Sequence, residues 1–454
     1  MFEARTILRH AATVLVGQLA VMAFGIADTL IAGRYAASAL AALSVGSAIY
    51  ISIYVALNGL MQALLPVWSE LRGAGDKKAL GQSVRQALYL CTFVSVVGTL
   101  ALCFPDPWLR YTQVPTELQA DVRGYLQILA IAVGPSLLFR MYATLNQSLG
   151  KPLWVTGLQI AALVIKIPLS MALTLGTGDL PAQGVVGCAW ATLIVNFWLM
   201  CMSIYYLRHR PLYADFQIWK RMEAPHWPTL QQFLKFGVPS ALSLMVEVTA
   251  FTLMALFISR QGVVASASHQ IATSLATILY MVPFSLGIAS SARVGYWMGA
   301  SQTQFAEKAA HTGLRLAMAL ALVCSTALAL FADSLAGLFS KDAAVVLGAS
   351  AVLVWVAFYH LMDALQAVSV FILRCYRMTF LPLVIYAILL WGVGLYGAYV
   401  LAYQGFAIWP AKPSVVTFWA TSSFALGMVS VAFVSLVLWS AKERRLEMAS
   451  PPLK

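Results

Sequence analysis

Arg208–Pro228, RHRPLYADFQIWKRMEAPHWP, is the longest polar interval of the chain, and it falls at the middle. It carries six of the charged residues, yet it is too short to bury a core of its own. On either side the sequence is a succession of apolar runs, each close to the ~20 residues that a membrane-crossing helix needs. The runs are 11–33, 39–66, 84–104, 123–147, 153–175 and 184–207 before it, and 229–259, 263–292, 311–332, 344–373, 380–404 and 414–440 after it. The interval therefore reads as a linker between two halves. The expected organisation is an amino-terminal lobe 1–207, a cytoplasmic linker 208–228 and a carboxy-terminal lobe 229–454. The fold class is an all-α membrane protein with twelve transmembrane helices in two six-helix lobes.

Composition excludes the other classes. Of the 454 residues 61% are hydrophobic and 10% charged, with a mean hydropathy of +0.81, whereas a soluble globular chain carries about 25% charged residues. A soluble fold, a disordered chain, a coiled coil and a disulfide scaffold are all ruled out. The net charge of +12 has a topological reading. With the amino terminus inside, 22 of the 29 Lys and Arg collect on cytoplasmic segments, and the other face has only Arg34, Arg110, Arg123, Arg260, Lys341 and Lys412. The positive-inside bias then places both termini in the cytoplasm. The surplus charge is an orientation signal and a contact with membrane lipid, and no nucleic-acid partner is expected. The basic start, Met1–His10, looks a little like a signal peptide, but eleven further apolar segments favour a retained first span. The six cysteines form no C-x-x-C pair and read as packing residues.

The halves align at an offset of 226 residues over helices 1 to 3 and 7 to 9, pairing Tyr54 with Tyr280, Arg34 with Arg260 and Leu60 with Leu286. Gly-Ala recurs at the same point of the same loop, in Arg72-Gly73-Ala74-Gly75-Asp76 and Met298-Gly299-Ala300-Ser301-Gln302. An even number of helices per half makes the repeats parallel, related by a pseudo-two-fold axis along the membrane normal, with a substrate cleft between them.

An ionisable residue inside a span costs ~2.5 kcal/mol or more on insertion scales, so each one is a functional candidate. Four stand well inside: Asp28, Lys166, Glu247 and Asp363. Two carboxylates facing one cavity either share a proton or bind a cation between them. Tyr359, four residues before Asp363, shares its helix face. Such oxygen donors suit Na⁺ or a proton rather than zinc or copper. Asp28 has Lys166 in its own half: either the two pair, keeping Asp28 ionised, or the lysine stem reaches toward an interface or a watery cleft. His269 and His360 are either proton relays or helix-interface residues. Arg140, Arg293 and Arg374 fall at cytoplasmic helix ends and read as snorkelling anchors. Trp68, Trp108 and Trp409 read as interfacial belt residues. Pro66, Pro135, Pro168, Pro239 and Pro283 are places where helices can bend or unwind. No nucleotide-binding loop, H-E-x-x-H or G-x-S-x-G is present. The chain is therefore not expected to be an enzyme or to hold a cofactor, and its work is driven by an ion gradient or runs downhill.

At this point the chain resembles the multidrug and toxic compound extrusion (MATE) transporters, and most closely their NorM-like bacterial branch. The resemblance rests on Ile26-Ala27-Asp28-Thr29-Leu30-Ile31-Ala32-Gly33-Arg34, Leu65-Pro66, Leu71-Arg72-Gly73-Ala74-Gly75 and Gly184-Val185-Val186-Gly187-Cys188-Ala189-Trp190. In the second half it rests on Gly237-Val238-Pro239, Glu247-Val248-Thr249, His269-Gln270-Ile271-Ala272, Pro283-Phe284-Ser285-Leu286-Gly287 and Phe358-Tyr359 with Asp363-Ala364-Leu365-Gln366. It implies a secondary exporter that antiports cationic, amphipathic drugs or toxins against Na⁺ or H⁺; the chain is expected to work as a monomer in the bacterial inner membrane. By position, Glu247, Tyr280, Tyr359 and Asp363 look like the family's carboxy-lobe cation site, a possible Na⁺ site at Glu247 and Asp363. Asp28 looks like its amino-lobe acid. In helix 5 the family commonly has Asn and then Asn or Asp four residues on, whereas this chain has Lys166 and Ser170. That departure favours coupling through the carboxy-lobe. The alternative is a flippase for lipid-linked or polysaccharide precursors, but an anionic precursor would call for several cleft Lys or Arg, and here one intramembrane lysine faces three acids. An intramembrane enzyme would need a clustered catalytic pair that the scattered acids do not supply.

Overall fold

The structure is a computed structural model that describes residues 2–111, 115–178, 181–406 and 410–449. The described chain is helical throughout, with no strand among the described residues. Among the described residues twelve helices are long and apolar enough to cross a membrane. In the first half these are α1 (Phe2–Tyr35), α2 (Ala37–Gly73), α3 (Lys77–Cys103), α4 (Thr116–Ser148), α5 (Leu153–Leu175) and α6 (Val185–His209). In the second they are α7 (Trp227–Ser259), α8 (Val263–Gly299), α9 (Thr303–Leu330), α10 (Ala343–Cys375), α11 (Phe380–Gln404) and α12 (Val415–Ala449).

The helices outrun their apolar runs because polar turns continue them beyond the hydrocarbon. α3 begins at Lys77, where the Asp76 carboxylate caps it by accepting from the Ala79 amide at 2.8 Å. α9 begins eight residues before its apolar run, at Thr303. The recurring Gly-Ala marks equivalent helix ends. α2 stops at Gly73 and α8 at Gly299, with Ala74 and Ala300 as C-caps. Gly75 (φ 72°) and Ser301 (φ 57°) then turn left-handed, and Asp76 and Gln302 return amides to the carbonyls of Leu71 and Trp297 at 3.2 and 2.9 Å.

The chain divides into two compact units, 13–241 and a second made of 242–454 with the first twelve residues. The linker belongs to the first unit because its charges are tied to the start of α3. The Arg85 guanidinium donates to both Glu223 carboxylate oxygens, at 2.8 and 2.5 Å, and to the Gln217 carbonyl at 2.6 Å. Gln86 bonds the Ala224 carbonyl and the His226 amide, and Lys77 pairs with Asp215 at 2.6 Å. The Arg85 hydrogen bonds hold the Glu223 carboxyl far below the ordinary carboxylate range, at about 2. In the second unit the first turn of α1 is fastened in the same way, with Glu3 accepting from Arg293 at 2.5 and 3.0 Å and from the Trp297 indole at 3.1 Å.

In each unit one helix is central. α4 is the most buried span and packs on α2, α3 and α6, while α10 packs on α8, α9 and α12. Pro135, Pro168, Pro239 and Pro283 sit inside continuous helices, so none of them unwinds its span. The unexpected element is α11, which is π-helical over Ala387–Tyr396 and again over Val400–Gln404.

Several side chains lie elsewhere than the sequence suggested. Trp68 is not a belt residue: it is wholly buried and donates its indole N–H to Ser83 at 3.0 Å. Trp409 lies outside the described residues, as do the side chains of Trp108 and Arg110. Arg293 is a salt-bridge partner, and Arg140 and Arg374 are buried within their units rather than snorkelling. All six cysteines are free thiols.

Candidate functional site

The first unit places Asp28, on α1, against α5. The Lys166 ammonium lies 2.9 Å from Asp28 Oδ2, and the Ser170 hydroxyl donates to Oδ1 at 3.0 Å. Both residues that depart from the family pattern therefore act on the same carboxylate. Lys166 also donates to Thr192 Oγ1 on α6 at 2.6 Å and lies 5.8 Å from the centre of the Phe24 ring. The lysine is 1% exposed, so of the two readings left open by the sequence the pair is the one observed. Gly187 makes this packing possible: a Cβ there would lie 2.5 Å from the Leu173 carbonyl carbon and oxygen, so only glycine lets α6 approach the end of α5.

The second unit is arranged differently. Asp363 is buried on α10, and Gln366, three residues on, donates its amide to Asp363 Oδ1 at 2.8 Å. The Tyr386 hydroxyl of α11 in turn donates to Gln366 Oε1. Glu247, on α7, lines a cavity of about 20 Å³ with Phe251, Tyr359, Leu390, Leu395 and Ser422, room for roughly one water-sized guest. Glu247 and Asp363 are close enough to interact electrostatically, and Tyr280 and Tyr359 lie in the field of both. Among the described residues neither carboxylate is in an ion pair with Lys or Arg, in contrast to Asp28. Arg374 acts on Glu247 from a distance, with its guanidinium 4.7 Å from the centre of the Phe371 ring.

Aromatic rings wall this site. Tyr359, Phe251 and Trp419 contact one another with centroids 5.5 to 6.0 Å apart. The Trp419 indole donates to His269 Nδ1 at 3.2 Å, and Thr273 faces Nε2. An indole nitrogen can only donate, so the His269 proton sits on Nε2 and the ring is a helix-interface residue with both nitrogens engaged. His360 is buried but belongs to no comparable network among the described residues. No group of three or more His, Cys, Asp and Glu side chains placed to hold a metal ion occurs among the described residues. Two carboxylates with phenolic oxygens nearby offer hard oxygen donors to a small cation and no soft ligand to a transition metal.

The sequence did not single out Gln366, Tyr386, Phe251 or Trp419. Gln366 has a legible signal, since its i+3 spacing places it on the Asp363 face. The π turns of α11 have none. They bring Leu390 and Leu395 to the cavity and let the Trp391 indole donate to the Val246 carbonyl, beside Glu247, at 3.2 Å.

Comparison with known proteins decides the family. The MatE family profile matches residues 14–172 and again 239–400, so one pattern fits each half, within two residues of the 226-residue offset. The chain belongs to the MATE family of transporters. A probable multidrug resistance protein NorM of Aromatoleum aromaticum is 34% identical over 94% of this chain and 92% of that protein. A multidrug resistance protein MdtK of Yersinia pseudotuberculosis is 31% identical over 97% and 96%. Among solved structures, an outward-facing multidrug resistance MATE family transporter of the MOP superfamily aligns with a TM-score of 0.88 at 17% identity over 98% and 97%. The Vibrio cholerae MATE transporter VcmN in its bent form gives 0.85 at 16%, over 98% of both chains. As a MATE protein the chain is a multi-pass membrane transporter and not an enzyme.

Proposed function

We propose that this MATE transporter is a secondary active multidrug exporter that exchanges cationic, amphipathic compounds for Na⁺ or H⁺. It works as a monomer in the bacterial inner membrane, with both termini in the cytoplasm. The observation that carries the reading is the contrast in charge. Asp28 is already neutralised by Lys166 at 2.9 Å, whereas among the described residues Glu247 and Asp363 are in no such ion pair. Two neighbouring carboxylates in a low-dielectric interior, in no ion pair with Lys or Arg among the described residues, repel each other, and a cation entering between them relieves that cost.

The incoming ion binds at Glu247 and Asp363, with Tyr359 and Tyr280 as neighbouring oxygen donors. Gln366, itself oriented by Tyr386, fixes the Asp363 carboxylate. Each elementary charge moved across ~100 mV carries ~2.3 kcal/mol, enough to bias an alternating-access equilibrium when the ion prefers one state. A bound cation at this pair disfavours a positively charged drug in the same half. The rings of Phe251, Tyr359 and Trp419 supply apolar and cation–π contact to a planar cation. The multidrug character is supported by the names of the NorM and MdtK relatives.

The test is energy-dependent ethidium efflux from an efflux-deficient bacterium expressing the wild type or Asp363→Asn at matched surface levels, with Na⁺ and pH varied. Efflux that requires the carboxylate and responds to Na⁺ or to pH supports the reading and identifies the ion. Efflux that is indifferent to both gradients overturns antiport.

A further inference from the structure

The second unit also contains a basic groove lined by none of the residues assigned above to ion binding. It is a cavity of about 790 Å³ at the end of the bundle where α1 and α9 begin and α12 ends, lined by Glu307, Lys308, His311, Arg315, Leu316 and Arg445 among others. Three permanent positive charges face one carboxylate there. The Glu307–Arg445 contact, at 3.3 Å on an exposed surface, is a weak one. Lys308 and Arg315 are in no ion pair among the described residues.

The periodicity around the groove is informative. Lys308, His311 and Arg315 follow one face of α9 at i, i+3 and i+7. The same face continues into the span with Met318 and Leu322, three and seven residues beyond Arg315, which are 41% and 55% exposed. α12 mirrors this: Leu438, seven residues before Arg445, is 43% exposed. On both helices a face that is apolar inside the span turns basic at its end. This arrangement matches the amphiphilic outline of a phospholipid, with acyl chains along the apolar part and a phosphate at the basic part. A free anion would use only the basic end, whereas a phospholipid uses the basic end and the lipid-facing apolar continuation together.

We propose that this groove is a specific site for an anionic phospholipid. Its phosphodiester headgroup is held by Lys308, Arg315 and Arg445, with His311 as a further donor, and its acyl chains lie along Met318, Leu322 and Leu438. The site is separate from the Glu247–Asp363 pair, and its existence does not depend on which ion drives transport.

The experiment is native mass spectrometry, together with thermal unfolding, of the full-length protein in neutral detergent, titrated with phosphatidylglycerol, phosphatidylcholine or inorganic phosphate. The wild type should retain phosphatidylglycerol and unfold at a higher temperature with it, and phosphatidylcholine and phosphate should do neither. Lys308→Glu with Arg315→Glu should weaken phosphatidylglycerol retention by about tenfold or more, given the attraction that each near-surface Lys or Arg supplies. The milder Lys308→Gln with Arg315→Gln should weaken it less. Lys78→Glu, an exposed lysine of the other unit, should leave it unchanged. Equal retention by the wild type and both double variants would overturn the proposal. Protection by inorganic phosphate alone would also overturn it, by making the groove a free-anion site.

Discussion

The two halves solve the problem of a buried acid in opposite ways. In the first, Asp28 is supplied with a cation from within the chain, Lys166 at 2.9 Å, and the pair is completed by Ser170 and Thr192. In the second, Glu247 and Asp363 are set among phenols, an amide and aromatic rings, with no ion pair to Lys or Arg among the described residues. Halves that align at the level of loops and helix ends have thus diverged at the charges. A carboxylate with a tethered counter-ion is a structural element, whereas the proposed function gives the unpaired carboxylates of the second half to an external cation.

The first way to break this comparison is to strand Lys166. Asp28→Asn leaves an ammonium unpaired in the interior, which costs ~3–5 kcal/mol and should lower the unfolding temperature of the purified protein sharply. Asp28→Asn with Lys166→Asn removes both charges and should recover most of that loss; if it does not, the pair is not the source of the cost. A smaller effect should come from packing. Gly187→Ala drives a methyl into the α5 backbone and should cost about 1–3 kcal/mol. Gly287→Ala meets only the Phe371 ring, which can turn aside, so its loss of stability should be the smaller of the two. Equal losses would mean that the first-half packing is no tighter than the second. Asp363→Asn should leave thermal stability unchanged or raised, since it removes a buried charge that is in no ion pair with Lys or Arg among the described residues.

The smallest effect lies in the linker. The Glu223 carboxyl is held down at about 2 by Arg85, so its contribution is complete above the ordinary carboxylate range and is lost as pH falls through about 2. Glu223→Gln should therefore lower stability slightly at neutral pH and converge on the wild type at the acid end, read by unfolding across a pH series. A difference that persists at the acid end would place the effect in packing and not in charge.

Helix number, the midpoint linker and the matching loops were legible in the sequence because apolar run length and Gly-Ala spacing report directly on backbone constraints. The intramembrane acids were legible because a charge in an apolar run is costly wherever it points. What lay beyond the sequence was partnership. Lys166 could have snorkelled, and only the approach of α5 to α1 brings it onto Asp28. Arg140 and Arg374 read as anchors from their places near helix ends, but α4 and α10 are the central helices of their units, so those ends are interior. Trp68 was misplaced for a related reason, since its helix turn faces Ser83 of α3. The π turns of α11 left no sequence signal because Gly392, Gly394 and Gly397 suit many backbones.

The central claim is that the driving cation is bound by the second half while the first half's acid is neutralised internally. The most direct test is gradient-driven transport of a fluorescent cation in proteoliposomes, comparing Asp363→Asn with the charge-neutral Asp28→Asn/Lys166→Asn protein under imposed Na⁺ or pH gradients. The account predicts that Asp363→Asn loses gradient-driven transport while remaining folded, and that the double variant keeps the ion dependence of the wild type. Coupling retained in Asp363→Asn but lost in the double variant would contradict it and move the ion site to the first half.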